Sequence, residues 1–244
     1  MNAPFLIIET GSPVAPLRRH RGFGHWIRVA AGLRGHEAAS CHVEQGEALP
    51  TAEGWAGVIV SGSSAMVSER LAWSERTADW LRRAHEQGVP LLGICYGHQL
   101  IAHAFGGRVD YHPAGREMGT VEMTPLEAAS QDPLMRGLPQ RFRAQMSHLQ
   151  SVIEPPPGAV LLARSEHEPH GAFRLGGQTW GVQFHPEFSA GHMRGYILAR
   201  QPALVQEGRS PAAMLQGVSA APIARRVLRR FCAHARGAGS QRPG

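Results

Sequence analysis

The stretch "VPLLGICYGHQLIAHAFGG", residues 89–107, joins an unbroken apolar run to a helical pattern through one cysteine, Cys95, with Gly93 and Gly97 two positions away on either side. A short apolar run bounded by turn residues reads as a buried strand, and the segment after it as a helix stopped by Gly106 and Gly107. A nucleophile presented at the top of a parallel sheet sits on such a strand-to-helix turn. Its backbone is strained there, and the residues two before and two after it crowd each other, which glycine relieves. The helix N-terminus stabilises a thiolate and a nearby histidine can hold its proton, so Cys95 is the candidate nucleophile. The competing reading is a small buried hydrophobe, the usual fate of a lone cysteine.

Working outward, "FLIIE" (5–9) and "GVIVSG" (57–62) read as two more buried strands. Between the second of these and residue 89, "WSERTADWLRRAHEQG" has helical spacing at Trp73, Thr77, Trp80, Leu81 and Ala84, with Ser74 as its expected cap and Gly88 and Pro90 as its stop. That makes one βαβ crossover and predicts an α/β domain with a mixed, mostly parallel central sheet flanked by helices. Downstream, "GRVDYH", "GTVEMTPL", "RFRAQMSH", "AVLLARSE", "HGAFRLGG" and "TWGVQFHPEF" read as shorter strands that add antiparallel pairings. One domain is expected over residues 1–234, with the apolar-poor tail "ARGAGSQRPG" (235–244) disordered.

Composition narrows the function classes. With 244 residues and 43% hydrophobic content, the chain can bury one large core. The three cysteines, Cys41, Cys95 and Cys232, form no CxxC pair, which argues against a disulfide framework or zinc knuckle and for a reducing cytoplasm. No signal-peptide pattern and no run of the roughly 18 apolar residues of a membrane helix is present, so the expected protein is soluble and unexported. The charge of +6 comes entirely from arginine, with no lysine to serve a P-loop or a Schiff base. The arginines are scattered, and "RRVLRR" (225–230) belongs to an amphipathic helix with Ile223, Val227, Leu228 and Phe231 facing the core. Neither a nucleic-acid nor a membrane partner is expected.

A cysteine nucleophile needs a base, a group to orient that base, and donors for an oxyanion. "WGVQFHPEF" offers His185 and Glu187 two residues apart after an apolar strand, projecting to one side if the chain stays extended; His167, His170 and His192 are rival bases. The oxyanion donors would be the N–H of Tyr96 and one from the loop "VSGSSAMVSE" (60–69), with Gly62 and Ser63 as candidates.

These segments together resemble the class I, triad-type glutamine amidotransferases, and within them the glutaminase domain of GMP synthase and its free-standing relatives. The resemblance covers roughly residues 50–190 through "GICYGHQ", "VSGSSAMVSE", "GREMGT" (115–120), "MSHLQS" (146–151) and "GVQFHPE". It implies a flavodoxin-like fold and a Cys95–His185–Glu187 triad that cleaves the γ-amide of glutamine through a γ-glutamyl thioester, without a cofactor or metal. It also implies that Gln99, Ser147 and His148 hold the glutamine, while Arg116, Glu117, Met118 and Gly119 shape the pocket. Two departures stand out: Ser63 where the family commonly has glycine, and no acid after His148. Nothing after residue 190 reads as an ATP-dependent synthetase domain, so this chain alone is not expected to make GMP; an unidentified synthetase partner is left open. A γ-glutamyl peptide hydrolase with the same triad is one alternative, and a non-catalytic regulatory subunit or thiol sensor is another.

Overall fold

The structure, a computed structural model, describes residues 3–239. In chain order its strands and helices are β1 (Phe5–Glu9), α1 (Phe23–Ala31), β2 (Ala38–His42), β3 (Gly57–Val60), α2 (Ala72–Glu86), β4 (Leu91–Ile94) and α3 (Tyr96–Ala104). There follow β5 (Arg108–Tyr111), β6 (Glu117–Pro125), β7 (Phe142–His148), β8 (Gln150–Glu154), β9 (Val160–Arg164), β10 (Ala172–Leu175) and β11 (Thr179–Val182). The chain ends in α4 (Ala190–Ala199), α5 (Gln201–Gln206), α6 (Pro211–Gly217) and α7 (Pro222–Gly239).

One nine-stranded sheet, ordered β2-β1-β3-β4-β11-β10-β9-β6-β7, carries the fold, and β5 pairs with β8 in a small second sheet. The first five strands are mutually parallel. The other four join antiparallel. The expected architecture is therefore present: a parallel half with an antiparallel extension.

The continuous apolar runs are explained by burial on both faces. Along β1, Phe5 and Ile7 pack with Trp26 and Ile27 of α1 and with Val227 and Phe231 of α7, whereas Leu6 and Ile8 pack with Ala78 and Leu81 of α2 and with Leu100 and Ile101 of α3. Alternate residues of one strand thus feed two separate cores.

Several local expectations change. Ser74 lies inside α2, whose N-cap is Leu71, and its hydroxyl instead hydrogen-bonds the Tyr96 hydroxyl at 2.6 Å. The Arg-rich helix runs to Gly239, five residues into the stretch 235–244 read as disordered. Ala235 is fully buried, because it continues the apolar stripe that packs on the sheet; residues 240–244 lie outside the described ones. Strands β2 and β8 and helix α1 are not marked by the sequence pattern. The half-exposed "AASCH" of β2 lacks a clear alternation, and "QSVIE" is short and follows directly on β7. No helix among the described residues is long and apolar enough to cross a membrane.

Candidate active site

In an open parallel sheet, ligands bind in the crevice outside the carboxyl ends of the strands. Here the ends of β1, β3, β4 and β11 deliver Thr10, Ser61–Ser63, Cys95 and His185 to one place. Of these, Ser63, Cys95 and His185 line a cavity of about 420 Å³ together with Tyr96, Gln99, Ser147 and neighbours, while Thr10, Ser61 and Gly62 stand behind it.

Cys95 sits between β4 and α3 with φ +52° and ψ −103°, one of three non-glycine residues with positive φ among those described. Such a conformation costs on the order of 1–3 kcal/mol and persists only where packing enforces it. The two flanking glycines supply that packing. A Cβ on Gly93 would overlap the Gly97 carbonyl and come within 2.6 Å of His98 N, and a Cβ on Gly97 would come within 2.5 Å of Val60 O. Each pushes backbone against backbone, which cannot yield as a side chain can. Gly97→Ala is therefore expected to destabilise the fold by about 1–3 kcal/mol, the usual cost of overpacking. A urea midpoint equal to that of the unmodified chain would contradict this.

His185 follows β11, but not in extended chain. The backbone leaves the sheet after Val182, its N–H donates to Gln145 O at 2.8 Å, and Phe188 N turns back to His185 O at 3.3 Å. This turn, enforced by Pro186, brings Glu187 Oε1 to 2.8 Å from His185 Nδ1. Proximity thus arises by reversal of the chain, and not from two side chains on one face of an extended strand as the spacing suggests. Burial alone would pull the His185 pKa down. The opposing charges of Glu187 and a Cys95 thiolate, with hydrogen bonds to both, outweigh it and raise the pKa to about 10. The imidazole face stacks on Phe188 at 4.0 Å.

Gly62 is where β3 passes closest to this pair: a Cβ there would lie 3.0 Å from His185 Cε1 and 3.7 Å from Cys95 Cβ. Among the described residues the N–H groups of Gly62 and Ser63 make no hydrogen bond. Tyr96 is the first residue of α3, so its N–H has no acceptor within the helix. Ser63 is not among the positive-φ residues, so its Cβ is compatible with the loop conformation. The peptide between Ser61 and Gly62 is braced by Thr10, whose hydroxyl donates to Ser61 O at 2.9 Å.

Of the residues assigned to substrate by resemblance, Gln99, Arg116, Ser147 and His148 line the cavity, and Glu117, Met118 and Gly119 do not. Glu117 stands behind His148, accepting from its Nε2 at 3.0 Å and from Ser165 at 2.7 Å. Met118 is core, and Gly119 takes φ +124° in β6. The Gln99 amide nitrogen is engaged by Gln150 O at 2.6 Å and by Gln183 Oε1 at 2.9 Å, so the glutamine before "FHPE" anchors the one on α3. Arg116 is held by Glu207 at 3.0 Å. None of the rival bases lines the cavity: His167 stacks on His112, His170 donates from Nδ1 to Val152 O at 2.6 Å, and His192 stacks on Trp26.

The sequence did not mark the wall contributed by residues 12–16, by Arg18, by Tyr196 and by Arg200. The first follows a recognised strand with "TGSPVAP", a composition that reads only as a loop, and Tyr196 lies on a helix that could not be aimed without the fold.

The family model described as glutamine amidotransferase class-I matches residues 20–202. A GMP synthase [glutamine-hydrolyzing] from Aeropyrum pernix is 42% identical over 184 residues, which is 75% of this chain and 32% of that protein. The chain thus spans about a third of that relative's length. A protein of Thermococcus kodakarensis, named as one subunit of GMP synthase [glutamine-hydrolyzing], is 45% identical over 109 residues, covering 44% of this chain and 55% of that one. Among solved structures, a glutamine amidotransferase from Methylobacillus flagellatus superposes with a TM-score of 0.74 at 25% identity, over 100% of this chain and 98% of the other. One from Thermotoga maritima gives 0.76 at 19% identity, over 97% and 99%, which is a likeness of fold.

Proposed function

Since the chain belongs to the glutamine amidotransferase class-I family, we propose that it is a cysteine amidase cleaving the γ-amide of glutamine. The observation that carries this is the left-handed Cys95 on the cavity wall beside the His185–Glu187 pair. Cys95 Sγ adds to the γ-carbonyl, whose oxygen takes its negative charge toward the N–H groups of Tyr96 and of Gly62 or Ser63. His185, protonated over neutral pH by its raised pKa, gives its proton to the departing ammonia. Water then enters, His185 takes its proton, and attack on the thioester returns glutamate and the thiol. Gln99, Ser147 and His148 line the part of the cavity assigned to the glutamine head group. A synthetase partner that consumes the ammonia is part of this reading; it is supported by the relative whose name marks it as one subunit of GMP synthase.

A diazo-ketone analogue of glutamine tests the assignment. Labelling confined to Cys95 and slowed by glutamine, read by mass spectrometry of the peptides, is the expected result. Equal labelling of Cys41, Cys95 and Cys232, or labelling of Cys95 that glutamine leaves unchanged, would sink the amidase reading and favour a thiol sensor.

A further inference from the structure

Gln99 is only 4% exposed, and what it exposes faces the cavity that it lines. Its amide nitrogen is fully spent inside the protein: it donates to Gln150 O at 2.6 Å and to Gln183 Oε1 at 2.9 Å. The first contact decides which end of the amide is which, because a carbonyl oxygen only accepts. The second decides the plane. Both hydrogens of an amide nitrogen lie in the plane of the amide, so two acceptors in fixed positions leave the group no rotation. Gln99 Oε1 makes no hydrogen bond among the described residues and, unlike Gln183 Nε2, is not sealed away from the cavity. Gln99 therefore offers the cavity an acceptor and no donor.

The carbonyl that orients Gln99 is itself held. Gln150 O also accepts from His148 Nδ1 at 2.9 Å, which fills its second lone pair, and His148 Nε2 is held by the Glu117 carboxylate at 3.0 Å. Both ring nitrogens of His148 are thus turned to acceptors inside the protein, so this ring lines the cavity with no hydrogen bond left to offer a ligand. Gln183 stands apart from these residues. It is fully buried, directly follows β11 and does not line the cavity. Its own Nε2 finds no partner among the described residues, a cost that an apolar side chain at this position would avoid. The contact with Gln99 is the one side-chain hydrogen bond it makes among those residues.

Resting on the amidase reading, which puts the glutamine head group beside Gln99, we propose that Gln183 is a positioning residue for substrate recognition: it fixes the plane of the Gln99 amide so that Oε1 meets a hydrogen-bond donor of the bound glutamine. Because Gln183 does not line the cavity, it acts through Gln99 on affinity and leaves the chemical steps alone. Recognition is thereby tied to the segment that carries the base. The chain leaving β11 gives Gln183 to Gln99 and, two residues on, His185 to the cavity.

Gln183→Met keeps the length of the side chain and removes its acceptor. KM for glutamine is expected to rise about tenfold or more with kcat within about threefold, because a contact to the substrate is loosened while no reacting group moves. Alkylation of Cys95 by iodoacetamide keeps its rate. The discriminating measurement is a double-mutant cycle. In the Gln99→Ala protein there is no amide to position, so Gln183→Met changes KM by about twofold or less, whereas a purely structural role for Gln183 would cost the same in both backgrounds. Gln183→Asn, which withdraws the acceptor by one methylene, gives the same pattern and carries the measurement if the methionine variant does not fold. Calorimetry with glutamine on the same variants in the Cys95→Ala protein yields the cycle as affinities and does not depend on turnover. An unchanged KM, or an equal cost with and without Gln99, overturns the proposal and leaves the amidase reading standing. Failure of that reading has a different signature: the unmodified protein does not hydrolyse glutamine and the Cys95→Ala protein does not bind it, which overturns the proposal as well.

Discussion

Cys95→Ala is expected to abolish hydrolysis of glutamine, a loss of at least about a thousandfold, because in the proposed mechanism no other group can form the thioester that divides the reaction into two accessible steps. Cys41→Ala and Cys232→Ala retain activity. Both of these thiols are buried, and burial raises their pKa, that of Cys232 to about 12, so neither offers a thiolate at neutral pH. Neither lines the cavity. Steady-state ammonia release by the three purified proteins decides the point, with thermal melts to show that each is folded. Activity in Cys95→Ala within tenfold of the unmodified protein would mean that the elbow presents a structural cysteine.

His185→Asn is expected to cost at least about a hundredfold in kcat, since in the proposed mechanism both proton transfers pass through this ring. Glu187→Gln costs less and changes the pH profile in a defined direction. In the proposed mechanism the protonated imidazole is the acid that releases the amine, and its pKa, raised to about 10, keeps it protonated well above the 6.5 of an unperturbed histidine. Activity limited by that acid therefore declines on the alkaline side, as pH approaches about 10. Burial acts to lower the pKa, and Glu187 is the first of the groups that raise it. Removing that carboxylate charge moves the alkaline limb to lower pH while the glutamine side chain still occupies the space. A pH–kcat series on both proteins provides the test. An alkaline limb that stays in place in Glu187→Gln would show that some other group sets it.

What the sequence determined by itself was the part of this protein governed by local constraint. "GICYG" required glycine at 93 because a Cβ there meets the backbone of Gly97, a clash decided within five residues of chain, whereas at Gly97 the Cβ would meet Val60 of the neighbouring strand. The apolar runs of β1, β3 and β4 announced a doubly covered parallel sheet because every residue along them is buried. Cys95, His185, Glu187 and the loop at Gly62 could be picked out as neighbours because each follows a strand of the parallel sheet, and the carboxyl ends of parallel strands converge.

What the tertiary structure decided was everything that depends on which distant segments share a wall. Ser74 read as a helix cap and proved to be a partner of Tyr96, since only the packing of α2 on α3 brings the two hydroxyls together. Glu117 sits next in sequence to a cavity residue yet does not line the cavity, because His148, its partner across the β6–β7 pair, takes that place and holds it by a hydrogen bond. Arg18 and Arg200 are 182 positions apart in the chain, in stretches whose composition marks only a loop and a helix end. Nothing local couples them. They line one cavity because α4 packs on the turn that follows β1, at the point where Gly195 leaves room for Leu17.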